Sequence, residues 1–135
     1  MHCPYCGSKT EVTNSRYKPS NNQVWRRRGC IDCAAVFTTH EAISLPSSIM
    51  VNYKNSSYVF DPDKLYVSIY DSLRHRKDPY QDARGLYDTI TKYIIESLQN
   101  ASIDRDQIVA ITVSTLRRFD QAASTQYAAF HPTNQ

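Results

Sequence analysis

Only three glycines occur among the 135 residues. No Gly-rich phosphate loop ending in Lys-Ser or Lys-Thr is present. No apolar run approaches the roughly 20 residues that a membrane-spanning helix requires. The opening residues, Met1-His2-Cys3-Pro4, are neither basic nor followed by an apolar stretch, so no secretory leader is read and a cytoplasmic location is expected. Internal repeats and low-complexity tracts are missing too. No Cys-His or Ser-His-Asp arrangement stands out, and Asp61 and Asp63 read as helix-start residues, not as a catalytic pair. Together these absences argue against an enzyme.

Hydrophobic residues make up 41% and charged residues 21% of the chain, which places it among globular proteins and not disordered ones. The length admits one ordinary domain, or a small metal-stabilised module plus a domain of roughly 80–90 residues. The cysteines decide for the second arrangement. All four (Cys3, Cys6, Cys30 and Cys33) lie before Leu45-Pro46-Ser47-Ser48, and the long apolar periodicities lie after it. Ser44 to Ser48 is read as a linker between a module at 1–45 and a domain at 46–135. A module of about 45 residues buries too little apolar surface to fold unaided, so a staple is expected.

The cysteines form two C-x2-C pairs separated by 23 residues. Two intervening residues let both thiolates of a pair reach one ion, and two pairs supply a sulfur tetrahedron that suits zinc. Gly7 permits the tight turn after the first pair. A closed four-sulfur site leaves no open coordination position, so the expected zinc is structural. Iron is the competing metal. Cys3-Pro4-Tyr5-Cys6-Gly7 resembles the first knuckle of rubredoxins, although Cys30-Ile31-Asp32-Cys33-Ala34 lacks the matching proline and glycine.

Residues 1–45 hold six basic groups and three acids, whereas residues 46–135 are balanced at ten of each. The whole net charge of +3 therefore sits on the cysteine module. Trp25-Arg26-Arg27-Arg28 leads directly into the second cysteine pair. On a strand, Arg26 and Arg28 take one face and Arg27 the other, and Arg16 is expected to extend the face of Arg26 and Arg28. Guanidinium forks suit phosphate oxygens or the major-groove edge of guanine, and Trp25 can stack on a base or cover the module's small core.

Thr10–Arg16, Gln23–Gly29 and Val36–Ile43 read as three short strands, with Lys18-Pro19-Ser20-Asn21-Asn22 as a turn. Beyond the linker, Ile49–Tyr53 and Tyr58–Phe60 read as a hairpin around a four-residue loop, Lys54–Ser57. Asp61-Pro62 starts a helix striped by Leu65, Ile69 and Leu73. Pro79 opens a second, striped by Leu86, Ile90, Ile94 and Leu98. Asp104 and Gln107 form a capping box for a third, lined by Ile108, Ile111 and Leu116. Asp120 caps a fourth that runs to Phe130. The expected class is α+β, a zinc ribbon followed by a hairpin and about four helices. His75 and His131 have no second ligand at helical spacing and read as ordinary histidines.

Cys3-Pro4-Tyr5-Cys6-Gly7, Asn14-Ser15-Arg16, Arg26-Arg27-Arg28-Gly29-Cys30-Ile31-Asp32-Cys33 and Phe37-Thr38-Thr39-His40-Glu41 together resemble the NrdR family. These are bacterial transcriptional repressors of ribonucleotide reductase genes, built from a zinc ribbon and an ATP-cone. The resemblance implies that the ribbon contacts double-stranded DNA through Arg16, Arg26, Arg27 and Arg28. It also implies that the cone senses ATP and dATP and that the chain forms homo-oligomers whose state controls operator binding. Phe60-Asp61-Pro62-Asp63-Lys64-Leu65 resembles the cone's helix start, which implies a phosphate role for Lys64, while Tyr53 and Lys54 are candidates to replace the family's strand lysine if the register shifts. The chain departs from the family pattern at Asn52, where a lysine is usual, and at Asn55, where the hairpin glycine is usual. Ser124, Gln126 and His131 replace an aromatic, an arginine and a tyrosine. A ribbon carrying a cone that only oligomerises, without sensing nucleotides, is the alternative these departures leave open, with a rubredoxin-like iron protein behind it.

Overall fold

A computed structural model describes residues 1–44 and 48–133 of the chain. The chain divides into two compact units, Met1–Ser44 and Leu45–Gln135. Leu45, Pro46 and Ser47, the middle of the expected linker, lie outside the described residues. The fold class is α+β, as expected. No helix among the described residues is long and apolar enough to cross a membrane.

The first unit is an antiparallel sheet of β1 (Thr10–Lys18), β2 (Gln23–Cys30) and β3 (Val36–Glu41), in the order β1-β2-β3. β1 and β2 form a hairpin from Thr10 opposite Cys30 to Lys18 opposite Gln23. A register irregularity between Val12 and Asn14 takes up one residue, Thr13. Most of β1 is exposed, and only Cys3 and Cys30 count as buried hydrophobic residues in this unit. So thin a core fits a module that depends on its metal.

The second unit places β4 (Met50–Tyr53) at the centre of a sheet ordered β5-β4-β6, with β5 at Ser56–Val59 and β6 at Ser102–Asp104. β4 pairs antiparallel with β5 and parallel with β6. The hairpin differs from expectation. Tyr53 faces Ser56 directly, so the loop has two residues, Lys54 and Asn55, and Ser56 and Ser57 belong to the strand. The left-handed residue is Lys54, at φ 54°, and not Asn55. A two-residue hairpin whose turn needs positive φ at its first central position accounts for the shorter loop and for the left-handed Lys54.

Four helices follow the expected starts: α1 (Pro62–Ser72), α2 (Pro79–Glu96), α3 (Arg105–Phe119) and α4 (Gln121–Phe130). Asp61 Oδ1 accepts the backbone N–H groups of Asp63 and Lys64 at 3.0 and 3.1 Å, which fixes the first turn of α1. Asp78 and Asp120 cap α2 and α4 in the same way, and Gln107 accepts the Asp104 N–H at the start of α3. The helical stripes meet in one core around Ile69, Leu73, Ile90, Ile94 and Leu116, with Val51 and Ile103 closing it from the sheet. Burial of each such side chain contributes roughly 1.5–3 kcal/mol against the entropy of ordering the chain.

Candidate functional site: a four-sulfur centre, an arginine sheet and a cationic cleft

Each cysteine pair is shaped by its own backbone. In the first, the Cys3 N–H donates to Ser8 O at 2.7 Å and the Gly7 N–H to Cys3 O at 3.0 Å, with Gly7 at φ 78°. In the second, the Cys30 N–H donates to Ala35 O at 2.9 Å, and Ala34 adopts φ 56°. The turns bring all four Sγ atoms within 4.8 Å of one another. Cys6 and Cys30 Sγ lie 3.5 Å apart, and Cys3 and Cys33 Sγ 3.7 Å apart.

These spacings suit zinc. Four sulfurs at about 2.3 Å from an ion at the centre of a tetrahedron lie about 3.8 Å from each other, far beyond the roughly 2.05 Å of a disulfide. All four cysteines are free, Cys3 and Cys30 buried, Cys6 and Cys33 exposed. The backbone N–H and hydroxyl of Ser8 pull the Cys6 thiol down to about 6. Cys33 receives a lowering bond from the Ala35 N–H, yet the neighbouring sulfurs of Cys6 and Cys30 outweigh it and push its pKa up to about 12. Thiolates crowded this closely repel one another, and a bound dication is what allows all four to ionise. The donor set and its tetrahedral spacing fit a zinc ribbon.

The sheet beside this centre sorts the arginines. Residues directly opposite across antiparallel strands share a face, and faces alternate along a strand. Arg26 faces Ser15 and Thr39, and Arg28 faces Val12 and Phe37. Arg16 faces Trp25, which in turn faces His40, and Arg27 faces Asn14 and Thr38. Arg16 therefore shares the face of Arg27 and Trp25, not that of Arg26 and Arg28 as the sequence suggested. The expectation lacked the register, which puts Arg16 opposite Trp25 and so one residue out of phase with Arg26.

The two faces are differently occupied. Arg26 is half-buried and ion-paired with Glu41 at 3.2 Å. Arg28 donates from Nε to Thr39 Oγ1 at 3.2 Å. Arg27 is exposed, and its guanidinium has one hydrogen bond among the described residues, a 3.4 Å contact to Thr38 Oγ1. Arg16 is exposed and has no side-chain hydrogen bond or ion pair among the described residues. Arg16, Arg27 and His40 thus lie exposed on one face, with half-buried Trp25 among them.

In the second unit, a cleft of about 140 Å³ opens between the sheet and the starts of α1 and α3. Its lining includes Tyr58, Lys64, Arg105, Tyr127 and His131. Of the residues singled out for nucleotide binding, Lys64 alone lines it. The Lys64 side chain is 86% exposed, and its Nζ reaches Asp61 only at 3.9 Å. Tyr53 borders the cleft indirectly, with the Arg105 Cζ 4.8 Å from its ring centroid. Lys54 sits at the hairpin turn, its Nζ 5.1 Å from the same ring.

Sequence reasoning missed Arg105, Tyr58 and Tyr127. The available signal was position: Arg105 directly follows the Asp104 cap. The family departures also separate here. Ser124 is buried and donates to Val113 O at 3.1 Å, and Gln126 donates to Asp71 O at 3.3 Å, so both serve helix packing away from the cleft. His131 does line the cleft, stacked on Tyr127 at 4.3 Å between centroids with a 30° tilt. Burial and the Arg105 charge hold its imidazole below the usual histidine range.

Residues 1–41 match a family model described as the N-terminal domain of transcriptional repressor NrdR-like proteins. Transcriptional repressor NrdR of Azorhizobium caulinodans is 32% identical over 97% of this chain and 76% of its own length. The proteins of the same name from Rhizobium rhizogenes and Methylobacterium radiotolerans are each 33% identical over 97% of this chain, covering 83% and 74% of their lengths. Similarity that runs through both units, together with the ribbon's four-sulfur centre, shows that the chain belongs to the NrdR family of transcriptional repressors and is not an enzyme.

Proposed function

We propose that the chain is a zinc-dependent, DNA-binding transcriptional repressor that acts at ribonucleotide reductase genes and whose second unit responds to ATP or dATP. One observation carries the DNA reading. β2 ends at the metal ligand Cys30 and carries the arginine run in its body, so the ion that fixes the strand end fixes the spacing of the arginines. The open face of Arg16 and Arg27, with Trp25 between strands, offers guanidiniums for phosphates or guanine edges and a ring for stacking. Arg26 and Arg28, engaged within the sheet, are assigned to holding that surface in register. Zinc bound by Cys3, Cys6, Cys30 and Cys33 is structural in this reading, and no chemistry passes through it.

The nucleotide reading rests on the cleft of the second unit. Lys64 offers a mobile positive charge beside aromatic walls supplied by Tyr58, Tyr127 and His131. Tyr53 and Lys54 stand at its margin and are assigned to the same ligand. The two units would communicate through oligomeric state, with homo-oligomers as the DNA-binding species.

The test is binding of the zinc-loaded protein to labelled promoter DNA of a ribonucleotide reductase gene, with ATP, with dATP and with neither. Salt-sensitive binding that the nucleotides modulate is expected. DNA binding without any nucleotide effect would make the second unit an oligomerisation domain only. No binding to such DNA under any condition would remove the repressor reading at this class of gene.

A further inference from the structure

We infer that Arg105 is the second phosphate-binding cation of the cleft and that it sets the preference for charged over uncharged nucleosides. The inference deepens the nucleotide reading above and rests on it. Arg105 is the first residue of α3, a helix of 15 residues, and Lys64 lies in the first turn of α1. Both cations therefore enter the same cleft from helix starts.

The guanidinium is positioned through one nitrogen and one face, and among the described residues it carries a single carboxylate contact. Its Cζ sits 4.8 Å from the Tyr53 centroid, and its NH1 donates to the Pro132 carbonyl at 3.0 Å. Its carboxylate contact is the neighbouring Asp106, at 3.4 Å and from the same nitrogen. Side-chain exposure is 22%, so the group is sheltered while keeping an approach from the cleft. The acid in the lining, Asp61, already has Oδ1 committed to the N–H groups of Asp63 and Lys64. An anion in the cleft thus meets two lining cations and one lining carboxylate occupied as a helix cap, with Asp106 outside the lining on one Arg105 nitrogen. Against a phosphate oxygen, the Pro132 carbonyl and the Tyr53 ring are weak competitors, because hydrogen bonds between ionised partners are roughly twice as strong as neutral ones, and Asp106 engages NH1 alone at 3.4 Å. A fork held on a ring is also already oriented, so little freedom remains to be lost on binding.

The experiment compares ATP with adenosine on the full-length, zinc-loaded chain and its Arg105→Gln and Arg105→Lys variants, by ligand-observed NMR, which reads weak binding. Arg105→Gln is expected to weaken ATP by about tenfold while leaving adenosine within about twofold. Arg105→Lys, which keeps the charge and loses the fork, is expected to recover part of the loss. Unchanged ATP binding by Arg105→Gln would overturn the assignment. Equal weakening of ATP and adenosine would overturn it too, by showing that Arg105 only shapes the cleft. If the parent protein bound neither compound, the nucleotide reading itself would fall, and Arg105 with it.

Discussion

Gly7 and Ala34 each follow the second cysteine of a pair, and both adopt left-handed backbone, at φ 78° and 56°. The geometry is the same and the residue is not. A left-handed conformation costs an L-residue roughly 1–2 kcal/mol, and glycine adopts it freely. The second knuckle is therefore the strained half of the metal centre.

Ala34→Gly should stabilise the ribbon. The relief is partly offset by the greater freedom glycine gives the unfolded chain, which leaves a gain of up to about 1 kcal/mol. The observable is the rate at which a chelator strips zinc, expected to fall in the variant. Faster stripping would show that Ala34 carries no strain.

Cys30→Ser removes one ligand and should unfold the first unit. Its own core is too small to persist, whereas the second unit has a separate hydrophobic core. Helical circular dichroism should survive with little change while DNA binding disappears. Prolonged chelation should reproduce both results. A variant that still bound DNA normally would show that the metal does not organise the basic surface.

Arg27→Ala and Arg16→Ala should weaken DNA binding more than Arg26→Ala, which breaks an ion pair with Glu41. If Arg27 meets a phosphate, its loss should also reduce the slope of log K against log salt by about 0.9. Titrations at several salt concentrations supply both numbers. A larger effect from Arg26 than from Arg27 would reverse the assignment of faces.

Asp120 accepts the Ala123 N–H at 3.0 Å and contacts both Arg76 NH1 and His75 Nε2 at 3.0 Å. The Ala123 N–H first, then His75 and Arg76, hold its carboxyl well below the usual carboxylate range. A depressed acid stabilises the fold fully above its unfolded value, near 3.9, and that contribution fades as pH falls towards its folded value. Asp120→Ala should cost roughly 0.5–2 kcal/mol at neutral pH through the lost helix cap alone. The gap between parent and variant should close as unfolding is measured at successively lower pH below about 4. A gap independent of pH would show that the ionised form of Asp120 has no special role.

The capping acids were legible because their signal is local. Asp61, Asp104 and Asp120 announce three helices and Pro79 the other, through rules spanning three or four residues. The cysteine pairs were legible for the same reason. β6 was not: three residues are too few to show a period, and its place beside β4 depends on a crossover through two helices. The face of Arg16 was misread because it depends on register, which Thr13 and the hairpin turn settle between strands. Arg105 was missed because its partners, Tyr53 and Pro132, are 52 and 27 residues away in the chain. His75, read as an ordinary histidine, contacts Asp120, 45 residues on, a partner that no local spacing reveals.

Cys30 is both the last residue of the central strand and one of four sulfurs within 4.8 Å of one another. On the proposed reading, a cell running short of zinc would lose the basic surface while the second unit, with its own core, stayed intact. Operator occupancy would then track the supply of a nutrient as well as the nucleotide pool, and scarcity of the metal would switch the target genes on.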